Sequence, residues 1–438
     1  MIQQELSVMK LNEEQEELRS LIENTKDHIF ITGKAGTGKS TLLQALKKTS
    51  PKKFVVAAPT GVAALNVGGQ TVHSLFKLPA KFVHRSDIKV SKATQKLLSQ
   101  IEMVIIDEVS MLRADLMDAI DEILQEARSS RQAFGGVQMV MFGDLYQLPP
   151  IVADRELQQY FKDHYNSYYF FSANVWQNTQ LRVHELETIF RQDDGEFKQV
   201  LNSLRVGNFN QEAIAVLNSR ANIPTPTENF ITLALTNNTV SEINHRKLAE
   251  IKEQSFTYAA EISGDLEPSA FPTEKNLELK AGAQVMFLKN DREKRWVNGT
   301  IGEIDYLTDD AIEVKVNGEV VVVKKEKWDK IKYSYDSEKQ AIKEEVESSF
   351  TQFPLRLAWA ITVHKSQGQT LDTVVFDIER GAFAHGQTYV ALSRCRSLEG
   401  LYLRRPIRAR DIIVDPQVSQ FMRSLTDNIY SPGQGKLF

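Results

Sequence analysis

The octet Gly33-Lys34-Ala35-Gly36-Thr37-Gly38-Lys39-Ser40 has the residue types and spacing of a loop that wraps a phosphate chain. Its glycines let the backbone curl, so that N–H groups point inward at anionic oxygens. Gly33, Ala35, Gly36, Thr37, Gly38 and Thr41 would line the phosphates, with Lys39 reaching the terminal ones and Ser40 ligating Mg²⁺. Asp107-Glu108 closes an apolar run. There Asp107 is suited to hold Mg²⁺ and Glu108 to polarise an attacking water. Gln147, in Gly143-Asp144-Leu145-Tyr146-Gln147-Leu148-Pro149-Pro150, offers an amide to a γ-phosphate or its water. Arg191 and Arg394 are candidates to stabilise charge on a phosphoryl group in transfer. The chemistry read from these residues is hydrolysis of a nucleoside triphosphate.

These residues need strands and helix starts to hold them. His28-Ile29-Phe30-Ile31-Thr32 reads as a strand feeding the glycine loop, and Thr41 to Leu46 as the first turns of a helix whose positive end faces the phosphates. Phe54 to Ala58, Met103 to Ile106 and Gln138 to Phe142 are near-continuous apolar runs, the pattern of buried parallel strands. Leu112 to Ala127 reads as an amphipathic helix, which completes an α/β nucleotide-binding domain. A second α/β unit begins with a strand at Phe230 to Leu235 and a helix from Val240 to Lys252, and resumes with a strand at Thr373 to Asp377. Between its parts the residues turn β-rich, with Asn317-Gly318 marking a hairpin.

Composition narrows the setting. The net charge of −4 advertises no global basic field, so a nucleic-acid partner would need a local groove. Cys395 is the single cysteine, which rules out an internal disulfide and fits a reducing compartment. The opening Met1-Ile2-Gln3-Gln4-Glu5 is too polar for a secretion signal, and no apolar run approaches about 18 residues. The expected location is the cytoplasm, at the nucleoid in a bacterium, with no membrane partner.

Several segments have no task in nucleotide hydrolysis alone. Ala58-Pro59-Thr60-Gly61-Val62, Thr71-Val72-His73-Ser74-Leu75-Phe76 and Ile361-Thr362-Val363-His364-Lys365-Ser366-Gln367-Gly368 place hydroxyl, amide and imidazole groups at strand ends. Such groups suit a sugar–phosphate backbone gripped without reading its sequence. In order along the chain, Ala-Pro-Thr-Gly, Asp-Glu-Val-Ser-Met, Gly-Asp-Leu-Tyr-Gln-Leu-Pro-Pro, Thr-Val-His-Lys-Ser-Gln-Gly and Val-Ala-Leu-Ser-Arg resemble superfamily 1 helicases. More narrowly, they resemble the 5′→3′ Pif-type (petite integration frequency) DNA helicases. The narrowing segment is Asp121 to Arg128 with Phe134-Gly135-Gly136-Val137-Gln138. Cys395-Arg396 departs from the small or uncharged residues expected there.

The resemblance implies an α/β fold of two RecA-like P-loop NTPase domains with parallel sheets, plus a small SH3-like β-barrel inserted in the second. Residues 1–186 would form the first domain, with a small insertion at about 66–85; a hairpin or small insertion around Gly68 to Arg85 is the expected strand-separating wedge. Residues 187–255 and 347–438 would form the second, and 256–346 the barrel. It implies ATP and Mg²⁺ as cofactors and single-stranded DNA, 5′-tailed duplex and forks as partners. Four-stranded guanine DNA, RNA–DNA hybrids and a monomer in solution also follow from it. Asn12 and Gln15 would contact adenine, Gly368 the nucleotide, and Arg191 and Arg394 would act as arginine fingers. Thr60, Gly61, Val62, His73, Phe76, Asn237, Thr362, His364 and Lys365 would contact DNA. Two other readings stay open: a DNA-stimulated translocase that strips proteins without efficient unwinding, and a nucleotide switch that uses no DNA.

Overall fold

A computed structural model describes residues 11–427 apart from 80–87, 153–154, 191–194, 227–229, 292, 294, 310, 317 and 380. In the first domain α1 (Glu13–Asn24) leads into β1 (His28–Gly33) and α2 (Lys39–Thr49). β2 (Phe54–Ala58), α3 (Gly61–Val67), β3 (Gln70–Thr71) and α4 (Val72–Phe76) follow. α5 (Lys92–Leu98), β4 (Met103–Ile106), α6 (Ala114–Arg128), β5 (Gln138–Phe142), α7 (Arg155–His164) and β6 (Leu181–Leu186) complete it. The sheet is parallel, in the order β3-β2-β4-β5-β1-β6. Every residue of β4 and β5 is buried, so the apolar runs mark strands covered on both faces. The segment 66–85 is described only as far as residue 79. Residues 66–79 supply the end of α3, the edge strand β3 and α4.

The second domain starts with α8 (Gly195–Arg205), α9 (Gln211–Asn218), β7 (Ile231–Ala234) and α10 (Asn237–Glu250). An all-β insertion then intervenes. It comprises β8 (Ser255–Ala259), β9 (Glu261–Ser263), β10 (Asn276–Lys280), β11 (Gln284–Phe287), β12 (Ile301–Leu307), β13 (Ile312–Val316) and β14 (Glu319–Val323). β15 (Glu326–Asp336), β16 (Ala341–Gln352) and β17 (Leu355–Leu357) end it, so its strands run past residue 346. Its antiparallel sheet, β14-β13-β12-β11-β17, shares a core with the β8–β10 pair through Tyr258, Leu277, Phe287, Trp296 and Phe353. β13 and β14 pair antiparallel with Val316 opposite Glu319, as a hairpin there requires, while Asn317 of the expected turn lies outside the described residues. The domain then resumes with β18 (Ala360–Thr362), β19 (Val374–Asp377), α11 (Gln387–Leu392), β20 (Leu401–Leu403) and α12 (Pro416–Asp427). Its parallel sheet runs β18-β7-β19-β20.

Two elements cross back to the first domain. Val418, Met422 and Leu425 of α12 enter its core, and Phe421 stacks on Phe171 at a centroid distance of 4.1 Å. The long β15–β16 hairpin lays Tyr333 into the same core, with Ile331, Tyr335 and Ile342 beside it. β3 is too short to cover all of β2. The Tyr333 hydroxyl accepts the buried N–H of Val56, which β3 does not reach, at 3.3 Å, and Tyr333 N donates to Gln70 Oε1 at 3.3 Å. No helix among the described residues is long and apolar enough to cross a membrane.

A buried ion pair also joins the two α/β units. Arg205, the last residue of α8, donates from Nη2 to Asp144 Oδ1 at 3.0 Å and from Nη1 to Glu185 Oε1 at 2.9 Å, and lies over the Tyr146 ring. Arg205 and Asp144 are both almost fully buried. Burial alone would push Asp144 up, but the guanidinium together with Lys39 and the Gln147 amide offsets it and holds the carboxyl below its usual range. Removing one partner leaves a buried charge unpaired, which costs about 3–5 kcal/mol. Arg205→Met should therefore lower the melting temperature sharply, and adding Asp144→Asn should recover much of the loss. Additive losses in the double variant would show that the pair is not coupled.

Candidate functional site

Gly38 stands at the N-cap of α2 with φ +81°, a left-handed conformation that a side chain would strain. A Cβ there would also lie 2.4 Å from Gln15 Nε2. No side chain caps α2, so its first backbone N–H groups stay open toward a phosphate. Lys39 folds onto the loop it serves: Nζ donates to Gly33 O at 2.7 Å and to Lys34 O at 3.1 Å. Thr37 is buried, with its hydroxyl on Lys34 O at 3.0 Å, while Ser40 is exposed. Asn12 and Gln15 brace this loop. They form a reciprocal cap on α1, and Gln15 Nε2 donates to Gly38 O at 3.3 Å. Phe190, 59% exposed, sits beside them, its N donating to Gly36 O at 2.9 Å.

Asp107 and Glu108 follow β4 at the carboxyl edge of the sheet, where open α/β folds bind ligands. Glu108 has φ +52°, a conformation that costs a non-glycine residue energy and persists where the surroundings enforce it. Burial pushes the Asp107 carboxyl up to about 6, against the pull of the Glu108 N–H and Lys39. Burial and the neighbouring Asp107 charge push Glu108 up to about 7, opposed by Lys39 and Arg394. A half-buried carboxylate after β4, Asp107, and an exposed hydroxyl in the first turn of α2, Ser40, are ligand types that fit a divalent cation taking its remaining ligands from phosphate and water. Among the described residues no cluster of three His, Cys, Asp or Glu could hold a metal alone.

The second domain meets this edge directly. Tyr389 of α11 accepts the Ala35 N–H at 3.2 Å through its hydroxyl. Gly386, which caps α11 at φ +74°, approaches so closely that a Cβ would lie 2.3 Å from Gln147 O. Gln367 Nε2 donates to Glu108 Oε2 at 2.9 Å and to Gln147 Oε1 at 3.3 Å. Arg394 is fully buried, with Nε on Val390 O at 2.9 Å, Nη2 on Ser393 Oγ at 2.9 Å and Nη1 on Ser366 O at 3.4 Å. Its charge still acts on Glu108 across the domain boundary. Arg191 lies outside the described residues. Gly368, at φ +80°, is exposed on the same turn as Gln367.

A second cluster forms at the exit of β7 and β18. Asn237, Thr362, His364 and Lys365 line one cavity of about 380 Å³ with Leu235, Thr236 and Phe383. Phe383 was not singled out from the sequence, where an aromatic residue in Gly381-Ala382-Phe383-Ala384 gives no periodic signal. Here its ring is 66% exposed, and Gln387 Oε1 pins its backbone by accepting the Phe383 N–H at 3.0 Å. Thr60, Gly61 and Val62 lie elsewhere. Thr60 caps α3, Val62 is exposed, and a Cβ on Gly61 would meet Ala270 of the insertion at 2.7 Å. His73 is half-buried near Arg113 and Asp115. Phe76 corrects the sequence reading: it is 2% exposed and packed in the first domain's core, so it has no face to offer a base.

The family model described as PIF1-like helicase matches residues 10–215. A Bdellovibrio bacteriovorus protein named ATP-dependent DNA helicase Pif1 is 35% identical over 409 residues, covering 91% of this chain and 88% of that protein. The chain belongs to the PIF1-like helicase family. A Danio rerio relative of the same name is 33% identical over 426 residues, covering 94% of this PIF1-like chain and 62% of the longer protein. Bacteroides Pif1 in complex with ADP-AlF4 superposes at a TM-score of 0.89 and 37% identity, covering 95% and 97% of the two chains. Bacteroides Pif1 bound to single-stranded DNA superposes at 0.69 and 38% identity, covering 95% and 97%. Two RecA-like domains with parallel sheets are thus shared with these PIF1-like structures.

Asp107 and Glu108 hold protons more tightly folded than unfolded. They cost nothing at about pH 2, well below both unfolded values, where both states are protonated, and destabilise increasingly as pH rises through the unfolded values toward the folded ones. In nucleotide-free, chelator-treated protein, Glu108→Gln should raise the melting temperature by roughly a few degrees at about pH 8 and by little at about pH 4. An equal shift at both pH values would contradict the burial of this charge. The same variant should bind ATP yet turn over about 10²–10⁴-fold more slowly, in a steady-state phosphate-release assay.

Proposed function

We propose that this chain is an ATP-driven DNA helicase that moves 5′→3′ along single-stranded DNA and opens forked duplex. One observation carries the reading: a single turn, residues 362–369, touches both sites. Its Gln367 reaches Glu108 and Gln147, while its Thr362, His364 and Lys365 line the cavity with Asn237 and Phe383. Whatever moves this turn acts on nucleotide and strand together.

In this mechanism the open N–H groups of α2 and Lys39 bind the phosphates. Ser40 and Asp107 would hold Mg²⁺, which neutralises phosphate charge when bound. Glu108 accepts a proton from the attacking water and Gln147 orients that water. Arg394 and, in our reading, Arg191 supply positive charge from the second domain. Gln15 braces Gly38 at the adenine end. Closure of the cleft engages these groups and hydrolysis releases them, so grips on the strand alternate between domains. The lower TM-score of this structure against DNA-bound Bacteroides Pif1, at closely similar identity, supports a rearrangement between the two arrangements. The 5′→3′ direction rests on the family likeness. So does activity on four-stranded guanine DNA and RNA–DNA hybrids, which a strand track without base-edge readers would tolerate.

Single-stranded DNA should raise the ATPase rate, and a fork with a 5′ tail should be unwound in preference to one with a 3′ tail. An ATPase indifferent to DNA would end the proposal; stimulation without unwinding would reduce it to translocation. Lys39→Ala should abolish hydrolysis. Phe383 presents a face for base stacking, and Phe383→Ala should weaken single-strand binding by about 1–3 kcal/mol in fluorescence anisotropy. Unchanged affinity would remove Phe383 from the track.

A further inference from the structure

Glu108 does not stand ready for water in this arrangement. Gln367 Nε2 carries two N–H groups; one goes to Glu108 Oε2 at 2.9 Å and the other to Gln147 Oε1 at 3.3 Å. One amide nitrogen from the second domain thus engages both the expected base and the expected water-orienting residue of the first. A neutral amide is the side chain suited to this. A lysine would lock the carboxylate with full charge, and a glutamate has nothing to donate.

Gln367 is also tied to the strand-facing residues by a short, stiff path. Ser366 N donates to Thr362 O at 3.0 Å, Gln367 N to His364 O at 3.3 Å and Gln369 N to Ser366 O at 3.0 Å. The Thr362 hydroxyl accepts the Lys365 N–H at 3.2 Å, and the Ser366 hydroxyl donates to Val363 O at 2.8 Å. With these bonds the turn moves as one piece. A phosphate drawn onto Lys365 or Thr362 therefore displaces Gln367 as well.

Resting on the function proposed above, we propose that Gln367 is a positioning residue that couples the strand track to hydrolysis. With the track empty, its amide occupies Glu108 and Gln147. When DNA shifts the turn, the amide withdraws and both groups become free for the attacking water. A general base must be within hydrogen-bond reach of its water, so an occupied Oε2 holds the DNA-free rate down.

The test uses the full chain as wild type, Gln367→Ala and Gln367→Asn, whose amide is one methylene too short to span both partners. ATPase rates are measured without DNA and at saturating single-stranded DNA. Both variants should raise the DNA-free kcat roughly three- to tenfold, the scale of losing a hydrogen bond to a charged group. The DNA-saturated kcat should move less, so the stimulation ratio falls, while KM for ATP and single-strand Kd stay within about twofold. Unchanged stimulation ratios, or DNA-free and DNA-saturated rates that fall in parallel, would overturn the role. A wild type with no DNA stimulation would instead overturn the function on which it rests.

Discussion

Two adjacent carboxyls at the end of a buried strand are the constraint around which the rest of the molecule is arranged. Asp107 and Glu108 lie where burial opposes their charge, and Lys39 is the cation of their own domain that acts on both. A site built this way is unstable alone and receptive to charge from outside. That is the requirement of a motor whose catalytic state must depend on a second domain and on its ligands. The left-handed backbone at Glu108 belongs to the same balance, because such strain survives only where surrounding packing enforces it.

Packing from across the cleft meets the same edge of the sheet. The Asp144–Arg205 pair fixes α8 against the loop that carries Gln147, and Gly386 brings the start of α11 onto that loop without a Cβ between. α11 then presents Tyr389 to the phosphate loop, and Arg394, just beyond its end, holds the turn that carries Gln367 through Ser366 O. These contacts are mostly single hydrogen bonds to backbone or neutral amides, worth about 1 kcal/mol each, so they can be exchanged as ligands arrive. The ion pair is of another scale and is suited to act as a fixed point while the others change.

Farther out, the insertion and α12 span both domains. The Tyr333 hydroxyl finishes an edge that β3 leaves open, and Ala270 rests on Gly61 beside the Thr60 loop. The insertion therefore restrains the first domain at two places, although the chain leaves it and returns through the second.

Much of the fold and the phosphate site was legible in order along the chain. Near-continuous apolar runs gave away β2, β4 and β5, and the glycine spacing located the loop before α2, because both signals are local. Lys39, Ser40, Asp107, Glu108 and Gln147 could be placed at strand and helix ends for the same reason. The β15–β16 hairpin was not legible. Its charged, alternating residues look solvated until the first domain covers Tyr333, and its turn lacks the glycine that marks β13–β14. Phe76 was misread because a polar-flanked aromatic can face either way, and only the core around α4 decides. Gln367 and Phe383 acquired meaning from neighbours more than 100 residues away. The sequence by itself determined the chemistry available, since residue types and local spacing decide which groups can touch a phosphate. Which groups are held back and which are joined only the tertiary structure decided, because those relations run between segments whose separation along the chain carries no record of contact.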